Sequence, residues 1–265
     1  METIEEAKKD LKTFDALAIS IGKFIVDGFS EFGQMMSFLW AAFCSKPKLS
    51  GISEQMLFIG VYSIPIVLLA SVFTGFIATW QVQYLAKDLV GLQYLGMMVL
   101  KVTLSELGPT LIGLVLAGRI GAKVAAEVGT MQVTEQIDAM TCLSLNPMKY
   151  IVAPRIIAAF IMTPIMFIYG VFAAIFAAQF IATLAFELHP GVYYNSMKLM
   201  FNMSDVYMGF VKSFVFGGIT GLTGCFYGFM TTGGAVGVGA ATRNAVVSAS
   251  IMILAANLLI SKAMM

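Results

Sequence analysis

The longest apolar run of the chain extends from Ile151 to Leu184 and constrains the fold more than any other feature. Apart from Arg155 the run holds no charged residue, and it contains Pro154 and Pro164. A helix needs ~20 apolar residues to cross the hydrocarbon of a bilayer, so two helices would need ~40 and a turn. The run therefore predicts one long transmembrane helix, tilted and kinked at proline, in an integral membrane protein.

The composition supports a membrane protein made of helices. Of 265 residues, 59% are hydrophobic and 12% are charged, against roughly 25% charged in soluble domains. The segments of ~10 alternating residues that are typical of a membrane β-barrel do not occur. The net charge of +1 gives no indication of nucleic acid. Cys44, Cys142 and Cys225 lie far apart and indicate neither a disulfide framework nor a metal site. The expected fold class is therefore all-α.

We expect five spans, at about residues 55–81, 97–118, 151–184, 206–230 and 245–264. They form one transmembrane domain, residues 51–265. A polar loop is expected from Ala185 to Asp205 and a glycine-rich turn from Thr231 to Arg243. Residues 88–100 are either a connection or a re-entrant segment.

Residues 1–50 form a separate N-terminal part. Apolar residues recur there every three or four positions from Phe14 to Phe43, with charged residues between them. This pattern predicts an amphipathic helix in the membrane–water interface, and the alternative is a helix packed on the protein's own core. The charged first residues do not resemble a cleavable signal peptide.

Lysines and arginines are distributed unevenly about these spans. Only Lys87, Lys198 and Lys262 fall on one side. The other side carries Lys8, Lys9, Lys12, Lys23, Lys46, Lys48, Arg119, Lys123, Lys149, Arg155 and Arg243. Because basic residues favour the cytoplasmic side, we expect a cytoplasmic N-terminus and a C-terminus on the outer, periplasmic side.

Glu106 and Lys212 are ionisable residues inside predicted spans, in the outer half of each. A charge at the bilayer centre costs ~2.5–3.5 kcal/mol on insertion scales, so such residues usually face a cavity, each other or a polar ligand. The two residues could line a substrate path, pair structurally or snorkel. An ATP-independent secondary transporter that uses them as an ion relay is one functional hypothesis, and a structural anchor is another.

A polar segment from Arg119 to Tyr150 separates spans 2 and 3. We expect a short amphipathic helix there, either a cytoplasmic contact for a soluble partner or a solvated loop helix. Asn146-Pro147 would stop it. Its apolar face would comprise Met131, Val133, Ile137, Met140 and Leu143, and its polar edges Glu135, Gln136 and Asp138.

The chain offers little for catalysis. The run from Gly233 to Gly239 lacks the Lys-Ser/Thr ending of a phosphate-binding loop. His189 is the single histidine and falls in a predicted loop, so no Ser/His/Asp set is indicated. The glycines from Gly217 to Gly228 in the fourth span predict close helix packing. We therefore expect a non-catalytic subunit.

Several motifs together resemble the MlaE (YrbE) family, the permeases of ABC transporters that work with MCE proteins. They are Glu106-Leu107-Gly108-Pro109, AGRIGAKVAAEVGTMQVTEQIDAM from Ala117 to Met140, Asn146-Pro147, Ala153-Pro154-Arg155, Lys212-Ser213, Gly228 and Thr242-Arg243. The resemblance covers about Gln55 to the end of the chain.

The resemblance implies a homodimeric permease in the bacterial inner membrane that moves phospholipid or a related lipid between that membrane and the outer envelope, a role in outer membrane lipid asymmetry. A dimer of cytoplasmic ABC ATPases would bind ATP and Mg, with no cofactor in this chain. A hexamer of MCE-domain protein would lie on the periplasmic side, and a STAS-domain protein can join the complex. Neither the lipid species nor the direction of transport follows from the motifs.

The same resemblance implies two sets of site residues. The segment 127–147 would couple the permease to the ATPase, through Glu127, Gly129, Met131, Glu135, Gln136, Ile137, Asp138 and Met140. The substrate path would include Ser105, Glu106, Lys212 and Asn257. Ser105 stands where other members often carry an arginine, and Asn257 lies near a position where some carry an acidic residue, which leaves fewer charges for a lipid headgroup.

Overall fold

A computed structural model of the chain describes residues 26, 28, 30–45, 49–86 and 91–264. The chain divides into two units, Met1–Cys44 and Ser45–Met265. In the first unit, residues 30–44 are helical, and Phe32, Met36, Trp40 and Phe43 are exposed along this helix at spacings of three or four. The predicted helix is thus present in its described part, whereas residues 14–25, 27 and 29 of it lie outside the described residues. A location at the membrane interface stays a prediction.

The second unit is built from helices, and the described part of the chain contains no strand. Short 3-10 turns lie at Val61–Ser63 and Leu92–Tyr94, and π-helical segments lie at Thr103–Leu107, Ala117–Gly121 and Met148–Val152. The α-helices are α1 (Leu49–Ile59), α2 (Ile64–Ala86), α3 (Leu95–Val102), α4 (Gly108–Leu116), α5 (Ala122–Val133), α6 (Gln136–Cys142), α7 (Ala153–Phe186), α8 (Pro190–Leu199), α9 (Met203–Phe229) and α10 (Gly234–Met264).

Five helical stretches are long and apolar enough to cross a membrane, and they confirm the predicted spans in number and order. They are Gly51–Leu85, Leu92–Val133, Met148–Phe186, Met203–Phe229 and Gly234–Met264. The run from Ile151 to Leu184 lies within one helical stretch, with Pro164 inside α7, as its length predicted. The chain is a multi-pass, all-α membrane protein.

Two ends of the bundle can be named from these stretches. The basic end is the one that carries Arg119, Lys123, Lys149, Arg155 and Arg243, where span 2 ends and span 3 begins. The α8 end is opposite, where span 3 ends and span 4 begins.

The second span is much longer than predicted. Its helical stretch has 42 residues, which at ~1.5 Å per residue is ~63 Å, about twice the thickness of the hydrocarbon. Residues 92–96, which we left as a connection or a re-entrant segment before the span, are its first turns, and the polar residues up to Val133 are its last. We ended the span too early because the charged residues from Arg119 to Glu127 lower the local hydropathy, although the helix continues through them.

Two predicted loops are largely helical. The turn predicted from Thr231 to Arg243 is only three residues long and ends at Gly233, and α10 begins at Gly234. The loop from Ala185 to Asp205 contains α8, which His189 caps, its ring Nδ1 accepting from the Gly191 amide at 3.1 Å. Tyr193 of α8 is fully buried, and burial raises the pKa of its hydroxyl. Composition suggested loops in both places, and in α8 tertiary packing around Tyr193 overrode it.

Helix α9 packs closely against two neighbours through its glycines. A Cβ at Gly217 would lie 2.5 Å from the Ala159 carbonyl oxygen in α7. A Cβ at Gly228 would lie 2.7 Å from the Val128 Cβ in α5. The predicted role of these glycines in helix packing is confirmed, and it places α9 against both α5 and α7.

Candidate functional site

A buried ion pair joins the second and fourth spans near the α8 end. Glu106 lies in the π-helical segment Thr103–Leu107, and Lys212 lies in α9. The Lys212 Nζ donates to Glu106 Oε1 at 2.8 Å and to the Ser105 carbonyl oxygen at 2.7 Å. The Lys212 side chain is 0% exposed and that of Glu106 is 32% exposed. Lys212 therefore does not snorkel, and Glu106 is the side of the pair that is accessible from outside.

Helix α10 contributes the remaining hydrogen bonds to Glu106. Asn257 Nδ2 donates to Glu106 Oε2 at 3.1 Å, and Ser261 Oγ donates to Glu106 Oε1 at 2.8 Å. We call Ser105, Glu106, Lys212, Asn257 and Ser261 the polar cluster. Its carboxylate thus accepts from an ammonium, an amide and a hydroxyl, which stabilises its negative charge inside a span.

All four residues predicted for the substrate path are therefore brought together. Ser105 contributes its carbonyl oxygen, because its hydroxyl donates to the Lys101 carbonyl at 2.8 Å instead. The sequence reasoning missed Ser261, although its spacing of four from Asn257 places both on one face of α10. The geometry fits the structural pair that we considered. A role in a substrate path stays a prediction.

A second group of charges lies at the basic end. Arg155 at the start of α7 is buried, and its guanidinium lies 3.3 Å from Glu127 Oε2 in α5. Lys123 Nζ lies 4.0 Å from Glu127 Oε1 and 3.2 Å from the centre of the Phe58 ring in α1. We call Phe58, Lys123, Glu127 and Arg155 the basic-end clasp. It connects α5 to α1 and α7 by a charge-assisted hydrogen bond and a cation–π contact.

The prediction of one short amphipathic helix, with an apolar face from Met131 to Leu143, is wrong. Helix α5 ends at Val133, α6 begins at Gln136, and Glu135 between them is left-handed at φ +58°. Ser144, also at φ +58°, follows the end of α6. Non-glycine residues rarely adopt this conformation, so two sharp turns isolate α6 from the helices on either side.

Asn146-Pro147 also acts differently from our prediction. Helix α6 ends earlier, at Cys142. The Asn146 side-chain oxygen accepts from the Met148 amide at 3.0 Å, just before the π-helical segment that leads into α7. The pair therefore starts a helical stretch instead of ending one, since asparagine is a preferred cap and proline a preferred first residue.

The residues predicted to contact an ATPase point in two directions. Glu127, Gly129 and Ile137 face the rest of the chain: Glu127 belongs to the clasp, Ile137 is buried, and a Cβ at Gly129 would lie 2.8 Å from Thr231 Oγ1. Met131 and Met140 are half-buried. The exposed residues are Glu135, Gln136, Asp138 and Leu143, which we call the α6 surface.

In the part of the chain that the structure describes, no group of three or more His, Cys, Asp or Glu residues could hold a metal ion. Residues 52–263 match the family described as Permease MlaE. The chain belongs to the MlaE permease family. The match confirms the resemblance that the motifs indicated.

Relatives of this MlaE-family permease bear related names. One is a "Probable ABC transporter permease protein" of Rickettsia bellii, 37% identical over 250 residues, 93% of this chain and 96% of the relative. A probable ABC transporter permease of Synechocystis is 38% identical over 213 residues, 78% of this chain and 79% of the relative. Another, of Porphyra purpurea, is 33% identical over 203 residues, 77% of each chain.

The two charged groups of this MlaE-family permease lie on one continuous helical stretch. Glu106 of the polar cluster and Glu127 of the basic-end clasp are ~32 Å apart along Leu92–Val133, at ~1.5 Å per residue. Helix α6 follows directly after that stretch. Both groups are therefore connected to α6 through one helical stretch.

Proposed function

We propose that the chain is the permease subunit of an ABC transporter that moves phospholipid or a related lipid between the inner membrane and the outer envelope. Membership of the MlaE permease family and the names of the relatives support an ABC permease. One observation carries the mechanism: the stretch Leu92–Val133 bears the polar cluster near one end and leads into α6 at the other. Energy comes from a partner ATPase dimer that binds ATP and Mg.

The proposed coupling begins at the α6 surface. Glu135, Gln136 and Asp138 offer hydrogen bonds to the ATPase, and exposed Leu143 offers an apolar contact. When the ATPase subunits close, α6 moves and pulls α5 with it. The basic-end clasp passes the movement to α1 and α7, and the contact between Gly228 and Val128 passes it to α9.

Movement of α9 relative to span 2 would then act on the polar cluster. The bonds of Lys212 to Glu106 and Ser105 cross between these helices, so a shift of a few ångströms separates the charges. A freed ammonium is suited to bind a lipid phosphate, and Glu106, already one-third exposed, marks the side of access. The cycle closes when lipid leaves and the pair re-forms.

The proposal includes further partners and an orientation. The exposed apolar face of α10, with Val247, Ile251, Leu254 and Leu258, suits a second copy of the chain in a homodimer. From the family we propose an MCE-protein hexamer at the α8 end and an optional STAS-domain protein. The basic end then faces the cytoplasm of a bacterium, with the C-terminus in the periplasm.

A charge reversal on α6 tests the coupling. Glu135→Lys with Asp138→Lys should abolish co-purification with the ATPase and ATP-dependent lipid transfer in proteoliposomes. Glu187→Lys is the matched control, because Glu187 is exposed and left-handed like Glu135 but lies at the α8 end. Unchanged association and transfer in the double variant would exclude α6 as the ATPase contact.

An ATP-independent transporter is the second candidate, favoured by the buried pair of Glu106 and Lys212. Such pairs occur in ion relays within membranes. This candidate predicts that the chain alone, in vesicles, moves substrate along with an imposed proton or sodium gradient. If lipid transfer requires ATP and the ATPase and its rate does not change with the gradient, the ATP-independent transporter is excluded.

A further inference from the structure

A cavity of about 310 Å³ lies between span 2, α7 and α9 near the α8 end. Its lining consists of leucine, isoleucine, valine and phenylalanine side chains. The floor is buried and includes Leu104, Phe167 and Val171. The rim is exposed and includes Phe172 and Phe201. The cavity is therefore an apolar pocket that opens to the outside of the bundle.

The pocket is separate from the polar cluster. Helix α10 supplies Asn257 and Ser261 to that cluster but contributes no residue to the lining of this pocket. Leu104 lines the pocket, whereas its neighbours Ser105 and Glu106 bond to Lys212. The π-helical segment Thr103–Leu107 thus has one residue in the pocket wall and two in the polar cluster.

We propose that this pocket binds one acyl chain of a membrane lipid, at a site within a single copy of the chain. The lining offers no side chain that could bind a headgroup or hold water, and apolar cavities of this kind stay dry and take apolar guests. All its walls belong to helices that cross the membrane or to Phe201 just before α9. The apolar ligand present at that place is the hydrocarbon of lipid.

The size and the opening specify the ligand further. A volume of about 310 Å³ is at the lower end of the range of ligand pockets, ~300–1,000 Å³, which suits one chain and not a whole two-chain lipid. Exposed Phe201 stands next to Asn202, which caps α9 at the α8 end of span 4. The acyl chain enters beside this cap, and the polar headgroup of the lipid stays outside the pocket at the α8 end.

The floor of the pocket is tightly packed, so a bound chain lies on a firm surface. The rings of Phe167 and Phe210 meet edge to face at 5.7 Å. Gly209 lies beneath them, where a Cβ would be 2.5 Å from Phe167 Cζ and 2.6 Å from the Leu104 carbonyl oxygen. Binding of an acyl chain here depends on neither the ATPase nor the direction of lipid transfer.

The test uses phosphatidylglycerol that carries a diazirine near the end of one acyl chain, in proteoliposomes of the full chain. After irradiation, mass spectrometry of peptides should find the label concentrated around Leu104, Phe167–Phe172 and Phe210. Val206→Phe narrows the pocket from α9 and should lower this labelling several-fold. Val215→Phe, on the same helix but outside the pocket, should leave it unchanged.

A second variant, Ile168→Trp, blocks the pocket from the exposed part of α7, where a larger side chain disturbs folding least. Thermal unfolding of all variants identifies any that fail to fold. The proposal is overturned if labelling persists in both folded pocket variants, or if the label spreads evenly over exposed faces such as that of α10. Loss of labelling with ATP-dependent transfer intact would support the pocket and leave the proposed function standing.

Discussion

Replacement of Lys212 by methionine probes the polar cluster most directly. The substitution keeps an unbranched apolar stem but removes a fully buried ammonium that bonds Glu106 at 2.8 Å. Breaking a buried ion pair by removing one partner costs ~3–5 kcal/mol, because the other charge is left uncompensated. Glu106 keeps bonds from Asn257 and Ser261 and is one-third exposed, so we expect the lower limit, about 3 kcal/mol.

By the scaling of domains of 150–250 residues, ~2–4 °C per kcal/mol, that loss lowers Tm by roughly 6–12 °C. The assay is reaction of the buried Cys225 thiol with a fluorescent maleimide during heating, in a background where the exposed Cys44 and Cys142 are serine. The double variant Lys212→Met with Glu106→Gln removes both charges and should recover most of the lost Tm. A double-mutant cycle then gives the coupling energy of the pair.

The control is Lys101→Met, which removes an exposed lysine from span 2, the span of Glu106, and should leave Tm nearly unchanged. The reasoning is refuted if Lys212→Met unfolds at the same temperature as the parent chain. It is also refuted if the double variant is as unstable as the single one, since the cost would then come from packing and not from an unpaired charge.

Three further substitutions test other parts of the structure. Arg155→Leu should lower stability by about 3 kcal/mol, because Glu127 loses its buried partner, and Glu127→Gln in the same chain should restore part of it in the same thiol assay. Gly228→Ala should lower the free energy of unfolding by ~1–3 kcal/mol, since the added Cβ would overlap Val128. In the control Gly239→Ala the added Cβ meets no neighbour, so this change should stabilise α10 by up to ~1 kcal/mol. Equal Tm changes in the two variants would contradict the packing of α9. The Glu135→Gly variant should be more stable than the Glu135→Ala variant by ~1–2 kcal/mol and have the higher Tm, because glycine adopts the left-handed conformation without strain. The opposite order of Tm would mean that the turn relaxes.

The spans could be predicted because hydropathy alone decides whether a helix can lie in a bilayer. Their ends could not, because a paired charge such as Glu127 continues a helix beyond the hydrocarbon. Likewise, the glycines at the start of α10 resemble a turn in composition but lie in a helix.

The polar cluster was partly predictable. Glu106 and Lys212 stand out as charges inside spans, and Ser105 and Asn257 followed from the family resemblance. Apart from its spacing from Asn257, Ser261 carried no signal, because a serine in a transmembrane helix usually donates to the carbonyl four residues before it. The Asn257 carbonyl is the alternative acceptor for the Ser261 hydroxyl, at 2.8 Å. The acyl-chain pocket could not be predicted at all, since its lining has the composition of any helix core.

The long second span has a mechanical consequence. With ~32 Å between Glu127 and Glu106 along one helix, a tilt of about 5° about one of these points displaces the other by roughly 3 Å. That distance equals the length of the bonds that hold Lys212. In the proposed coupling the span acts as a lever arm, with the π-helical segment Ala117–Gly121 between the two points.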